Sequence, residues 1–98
     1  MKQTKINFPL GTMVMTSGVN DMVAEDSKFA AFVTKSLARH ATGDWGDMSL
    51  EDKRENDFSL TAGNLRIFSA YEIPDLPKIW IITEADRSAT TILFPDEY

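Results

Sequence analysis

Between Asp26 and Ala41, the residues Phe29, Phe32, Val33, Leu37 and His40 return every three or four positions. That spacing lays one apolar stripe along a helix, and such a helix needs a surface to lie against. Asp26 or Ser27 caps its start, and Gly43 stands where it should stop. The last third of the chain has a different period. Leu65–Glu72, Lys78–Glu84 and Thr90–Phe94 are strand-length runs rich in β-branched and aromatic residues. Ile73-Pro74-Asp75-Leu76-Pro77 joins the first two, Glu84–Ala89 makes a polar turn, and Pro95 ends the third.

Upstream, Leu10–Met15 reads as an opening strand and Val19–Ala24 as one or two helical turns. Ser49-Leu50-Glu51-Asp52 is a variant capping box that starts a second, highly polar helix running to about Ser59. Leu50, Phe58 and Leu60 are its apolar residues, expected to pin it to the core. The order is β–α–α–β–β–β. It predicts a single α+β domain over residues 1–98, with an antiparallel sheet packed against one long amphipathic helix. Residues 1–10 are expected to be a flexible or edge segment.

Composition narrows the function classes. An apolar fraction of 43% and a charged fraction of 26% are those of a folded globular chain. The chain has no cysteine, so disulfides, thiolate metal sites and cysteine nucleophiles are excluded together. No run approaches the roughly 18 apolar residues of a membrane span. Met1–Leu10 lacks the apolar stretch of a signal peptide, so the cytoplasm is the expected compartment. The formal charge is −5 and the ten cations are scattered. Both facts argue against direct nucleic-acid binding and for a protein partner with a basic face. An open sheet edge at the terminal strand would also invite a second copy, giving a homodimer.

Three polar clusters are candidates for chemistry. The first is Arg39-His40 with Asp44, Trp45 and Asp47. His40 is the one side chain expected to titrate near neutrality, a natural general base, with a loop carboxylate to fix its tautomer. The alternative is a structural histidine at a helix C-terminus. As a metal site, His40, Asp44 and Asp47 offer one nitrogen and two oxygens without a second histidine, so no metal or other cofactor is expected. Trp45 is a candidate partner anchor, or packs on the sheet edge. The second cluster, Asp52 and Asn56, shares one helical face and is expected to hold the Asp44-Trp45-Gly46 loop. The third is the turn Glu84-Ala85-Asp86-Arg87-Ser88 with Thr83, Thr90 and Thr91. Its Arg87 either pairs internally or stays free to grip a carboxylate or phosphate. Trp80, in mid-strand, is expected in the core or at the helix–sheet interface.

The motifs Arg39-His40, Gly43-Asp44-Trp45-Gly46, Asp52, Asn56 and Ser69-Ala70-Tyr71 resemble a family of small bacterial proteins labelled plasmid-related. Ile79-Trp80-Ile81-Ile82-Thr83-Glu84-Ala85-Asp86-Arg87 and Thr90-Thr91-Ile92-Leu93-Phe94-Pro95-Asp96-Glu97-Tyr98 extend the likeness over Gly11–Tyr98. The resemblance implies a gene that travels on mobile elements and brings no established activity. Two readings follow. One is a non-enzymatic protein-binding module acting on a host or defence-system protein. Its surface is drawn from Arg39, His40, Asp44, Trp45, Asp47, Asp52, Asn56, Tyr71, Glu84, Asp86 and Arg87. The other is a small hydrolase or ribonuclease-like toxin, by analogy of element order alone. There His40 is the base, Arg87 the phosphate clamp, and Glu84 or Asp86 the orienting carboxylate. Either reading needs the loop after the long helix to meet the tip of the last hairpin.

Overall fold

The computed structural model describes residues 8–63 and 65–98. In chain order these form strand β1 (Thr12–Met15), then helices α1 (Ser17–Glu25), α2 (Ser27–Ala41) and α3 (Leu50–Ala62). Strands β2 (Ile67–Tyr71), β3 (Ile79–Thr83) and β4 (Ala89–Leu93) follow, and a 3-10 turn at Pro95–Glu97 ends the order. The described residues form a small α+β fold with three helices, one more than the pattern predicted. The segment read as one or two turns is the nine-residue α1.

The strands make one sheet in the order β1-β4-β3-β2. β2, β3 and β4 form the expected antiparallel meander, with Ser69 opposite Ile81 and Ile81 opposite Ile92. β1 instead runs parallel to β4, with Val14 opposite Thr91. The sheet is therefore mixed, which corrects the antiparallel expectation. A hairpin turn forces its strands antiparallel, but no turn joins β1 to β4, and the three helices between them supply a crossover.

Alternation along the strands assigns their faces. Ile67, Ser69 and Tyr71 of β2, Ile79, Ile81 and Thr83 of β3, and Thr90 and Ile92 of β4 share the face under the helices. Tyr71, Ile79, Ile81 and Ile92 meet Val19 of α1 and Phe29, Phe32 and Val33 of α2 in the main apolar cluster. Burying a residue such as Phe29 completely contributes about 2–3 kcal/mol. The stripe of α2 thus does what its period predicts, and Asp26 caps it by accepting from the Lys28 and Phe29 amides.

α3 overturns its expectation. Leu50 and Phe58 are 64% and 60% exposed, Leu60 is half-buried, and the residues α3 buries are Asn56 and Ser59. The reason lies in what α3 covers, which is a strand edge and not an apolar sheet face. A strand edge is a row of backbone donors and acceptors, so a helix against it needs polar groups inward.

That edge is the outer side of β2, and it is closed along its length. The Asn56 amide accepts from Phe68 N–H at 3.1 Å and donates to Phe68 O at 2.6 Å. Ala70 N–H donates to Trp45 O at 3.3 Å, and Asp47 N–H donates to Ala70 O at 2.7 Å. Glu72 N–H ends the row on the Asp47 carboxylate at 2.9 Å. Gly46 makes this approach possible: its φ is +75°, and a Cβ there would strike Ala70 O and the Tyr71 ring.

Candidate functional site

His40 ends α2 with its side chain completely buried, and both ring nitrogens are hydrogen-bonded. Its partners are Ser69 on β2 and Thr83 on β3, also fully buried, and Thr83 in turn meets the buried Thr90 on β4. Counting protons fixes every direction in the row. Thr90 donates to the Leu10 carbonyl at 2.7 Å, which has no proton to give. Thr83 therefore donates to Thr90 at 2.7 Å, and His40 Nε2–H donates to Thr83 at 2.9 Å. Nδ1 is left unprotonated and accepts the Ser69 hydroxyl proton.

The ring is thus a neutral imidazole with one tautomer. Burial pushes its pKa down to about 4, because the charged form would lose its hydration. Phe8 and Trp45 close over it, with ring centroids 5.4 and 5.7 Å from the imidazole. Among the described residues, every buried side-chain nitrogen or oxygen has a partner. The Nε2 and Nδ1 atoms therefore offer nothing to a ligand or a metal in this arrangement. Residues 1–7 of the N-terminal segment lie outside the described residues, whereas Phe8 and Leu10 are part of this seal.

Arg87 is equally engaged. It sits in the left-handed region at φ +62°, which costs about 1–2 kcal/mol for a residue with a side chain. Its guanidinium donates to the carbonyls of Leu65, Glu84, Ala85 and Ser59 at 2.8–3.1 Å, and to Ser59 Oγ at 3.2 Å. The cation lies at the C-terminal end of α3, which has no basic residue of its own in its last turn. Arg87 supplies the charge that the helix dipole favours there. Asp86, beside it, is held below the usual carboxylate range by the Ser88 side chain and by the Ser88 N–H, from which it accepts at 2.9 Å. Glu84 is half-buried at the start of the same turn.

The loop after α2 is built in the same way. Arg39 pairs with Asp44 through Nε at 2.7 Å, and that bond holds the Asp44 carboxyl below the usual carboxylate range. Tyr71 is buried, which raises its pKa, and donates to Asp44 O at 2.7 Å while Arg39 lies over its ring at 4.9 Å. Trp45 is buried and donates its indole N–H to Asp57 at 3.0 Å. Asp57 thus reaches this loop, whereas Asn56 reaches β2 and Asp52 is exposed on α3.

The two regions expected to meet do not. The Asp44–Asp47 loop binds Ala70 and Glu72 at the C-terminal end of β2. Arg87 binds Leu65, ahead of the N-terminal end. Five residues of extended chain separate Leu65 from Ala70, about 17 Å along the strand. No shared polar patch forms between them.

The sheet face away from α1 and α2 is where exposed aromatic surface collects. Phe68 on β2 and Trp80 on β3 lie with centroids 4.9 Å apart, and Tyr98 stands edge-on to Trp80 at 5.8 Å. Tyr98 is 68% exposed and accepts from Arg66 at 3.0 Å. Trp80 is half-buried on this open face, not in the helix–sheet core. A groove of about 430 Å³ between α3 and β2 is lined by Asp52, Glu55, Arg66 and Phe68 among others. An adjoining hollow of about 210 Å³ carries Arg66, Glu84, Glu97 and Tyr98. Asp52 and Glu55 thus share a hollow with Phe68, Glu84 and Glu97 share one with Tyr98, and Arg66 lines both.

Sequence reasoning missed Asp57 and Ser59, and placed Thr83 and Thr90 on a surface. A readable signal existed for the buried row: Ser69, Thr83 and Thr90 occupy inward positions of strands whose other inward residues are Ile67, Tyr71, Ile79, Ile81 and Ile92. Hydroxyls at apolar positions need a buried partner. No helix of the described residues is long and apolar enough to cross a membrane. Neither a family model, nor a curated protein, nor a solved structure matches the chain.

Proposed function

We propose that this protein is a non-enzymatic protein-binding module whose open sheet face receives a basic segment of its partner. The observation that carries the reading is the aromatic group Phe68, Trp80 and Tyr98, with Asp52 and Glu55 in the hollow beside Phe68 and Glu84 in the hollow beside Tyr98. Aromatic side chains anchor interfaces, and a carboxylate rim draws and orients lysine or arginine while repelling acidic competitors. Cations also stack on exposed ring faces, as Arg66 already does on Tyr98 at 5.9 Å. The net charge of −5 extends the same preference over the whole molecule.

A hydrolase would use His40 as base and Arg87 as clamp. Both have their hydrogen-bonding groups occupied within the fold, which favours binding over catalysis. Under the resemblance to plasmid-related proteins, the gene belongs to a mobile element, and a host or defence-system protein in the cytoplasm is the class of partner. A chain without cysteine accords with that reducing compartment.

The test is site-specific photo-crosslinking in the host cell. Benzoylphenylalanine replacing Tyr98 should trap one protein, and the same group replacing Asp86 at the hairpin tip should not. Replacing Glu55 with lysine should weaken the adduct, as should high salt. Equal adducts at both sites, or none at position 98, would overturn the reading.

A further inference from the structure

The two edges of the sheet are treated oppositely. β2 is closed by Asn56, Trp45 and Asp47, whereas β1 lies at the other edge with all four residues exposed. Thr12 and Thr16 direct their N–H groups inward to Ser88 O and Ile92 O of the β4 side. By the two-residue alternation of a strand, the N–H and C=O groups of Met13 and Met15 therefore point outward. Natural edges are guarded by charge, proline or a bulge, and Thr-Met-Val-Met has neither charge nor proline. Met13 and Val14 are each 41% exposed.

We infer that β1 pairs antiparallel with β1 of a second copy, joining two sheets into one of eight strands across a two-fold axis at Val14. The strand itself selects this occupant. A molecule of charge −5 repels its own copies, and an uncharged edge is a place where two can meet without opposing carboxylates. Behind the strand, an apolar groove of about 290 Å³ is lined by Met13, Met15, Val23, Val33, Leu37 and Ile92. With no charged residue in that lining, nothing in the groove selects a charged peptide, and a methionine of the second copy fits it by flexibility.

Symmetry then dictates the register. A two-fold axis relating antiparallel edge strands is perpendicular to the sheet, so helix-side residues oppose helix-side residues. Met13 faces Met15 of the copy, Met15 faces Met13, and Val14 faces Val14. The outward backbone groups of Met13 and Met15 fall into hydrogen-bonded pairs in that register, and Val14 into the close non-bonded pair. Face and hydrogen-bond phase agree, giving four main-chain bonds. The interface is small, at the weak end of specific contacts.

Sedimentation from micromolar to millimolar concentration tests this. The expected mass rises from 11.0 kDa toward twice that value. Val14→Lys, at an exposed position, should hold the chain monomeric at every concentration with an unchanged circular dichroism spectrum. Position is tested separately, since the chain has no cysteine of its own. Val14→Cys should form a disulfide dimer under copper–phenanthroline, and Arg54→Cys, exposed on α3 at the opposite edge of the sheet, should not. A monomer throughout the range overturns the inference. So does a dimer that Val14→Lys leaves intact, or one in which Val14→Cys fails to cross-link. Val14 shares the open face but lies at the β1 edge, with β4 between it and Trp80, so dimerisation is read by sedimentation and partner binding by the adduct at position 98, each without the other.

Discussion

Asn56 stands to Phe68 as a neighbouring strand would, accepting from its N–H at 3.1 Å and donating to its carbonyl at 2.6 Å. One side-chain amide replaces a full residue of ladder. It does so from a helix, on the edge where another chain could otherwise add.

Replacing Asn56 should therefore damage the edge as well as the stability. Asn56→Leu leaves the Phe68 donor and acceptor facing an apolar group, a loss of about 1–3 kcal/mol. Urea unfolding measures it, and hydrogen exchange at the Phe68 amide should accelerate by more than the global loss explains. Asn56→Asp should lie near Asn56→Leu, because a carboxylate accepts from the Phe68 N–H but cannot donate to its carbonyl.

Arg87 is expected to behave as a staple. Arg87→Ala removes five hydrogen bonds from one charged group and leaves the end of α3 without its cation, for a loss of about 2–3 kcal/mol in urea unfolding. Arg87→Lys should recover little of it, since a point charge cannot span the Leu65 and Ser59 carbonyls as a planar fork does.

Glu97 joins the last turn to the start of α1. It accepts from Thr16 Oγ1 and from Gly18 N–H at 3.0 Å, and Thr16 itself provides no side-chain cap. The Thr16 hydroxyl and the Phe94 amide hold its carboxyl below the usual range. Its contribution is present above the pKa of the unfolded chain and is lost as pH falls through the lower folded value. Glu97→Ala should speed amide exchange at Gly18 and fray α1 at neutral pH, and acid should do the same to the wild type.

Much of this architecture was legible in the sequence, and its failures share one cause. The stripe of Phe29, Phe32 and Val33 and the alternation of Ile79 and Ile81 speak through apolar periodicity, and they lie where periodicity puts them. Periodicity records what faces an oily surface and is silent about a surface made of backbone amides. Hence α3 was expected to bury Leu50 and Phe58, although it covers a strand edge and buries Asn56 and Ser59. His40 and Arg87 admitted a catalytic reading, and Trp45 one as a partner anchor, because polar groups in turns are usually solvated. Their partners are carbonyls and hydroxyls brought in from distant strands, which no local pattern announces. The direction of β1 was equally hidden, as no turn ties it to β4.

His40 makes stability depend on pH with a definite sign. Its folded pKa of about 4 lies below the ordinary 6.5, so the unfolded chain binds more protons between those values. Its contribution is complete above pH 6.5 and is lost as pH falls toward 4, at about 1.4 kcal/mol per pH unit. Between pH 6.5 and 5 the wild type should lose about 1.6 kcal/mol in urea unfolding. His40→Gln should start lower, with its slope over the same interval flattened.

The imidazole itself is the most direct witness. Long-range nitrogen–proton NMR of the one histidine, followed from pH 8 to pH 4, reads its tautomer and its midpoint together. The expected spectrum is a single neutral ring protonated at Nε2, with a midpoint near 4 and slow exchange of that proton with water. A midpoint near 6.5, mixed tautomers or rapid exchange would instead describe an accessible base, and would contradict the assignment of His40 to the fold.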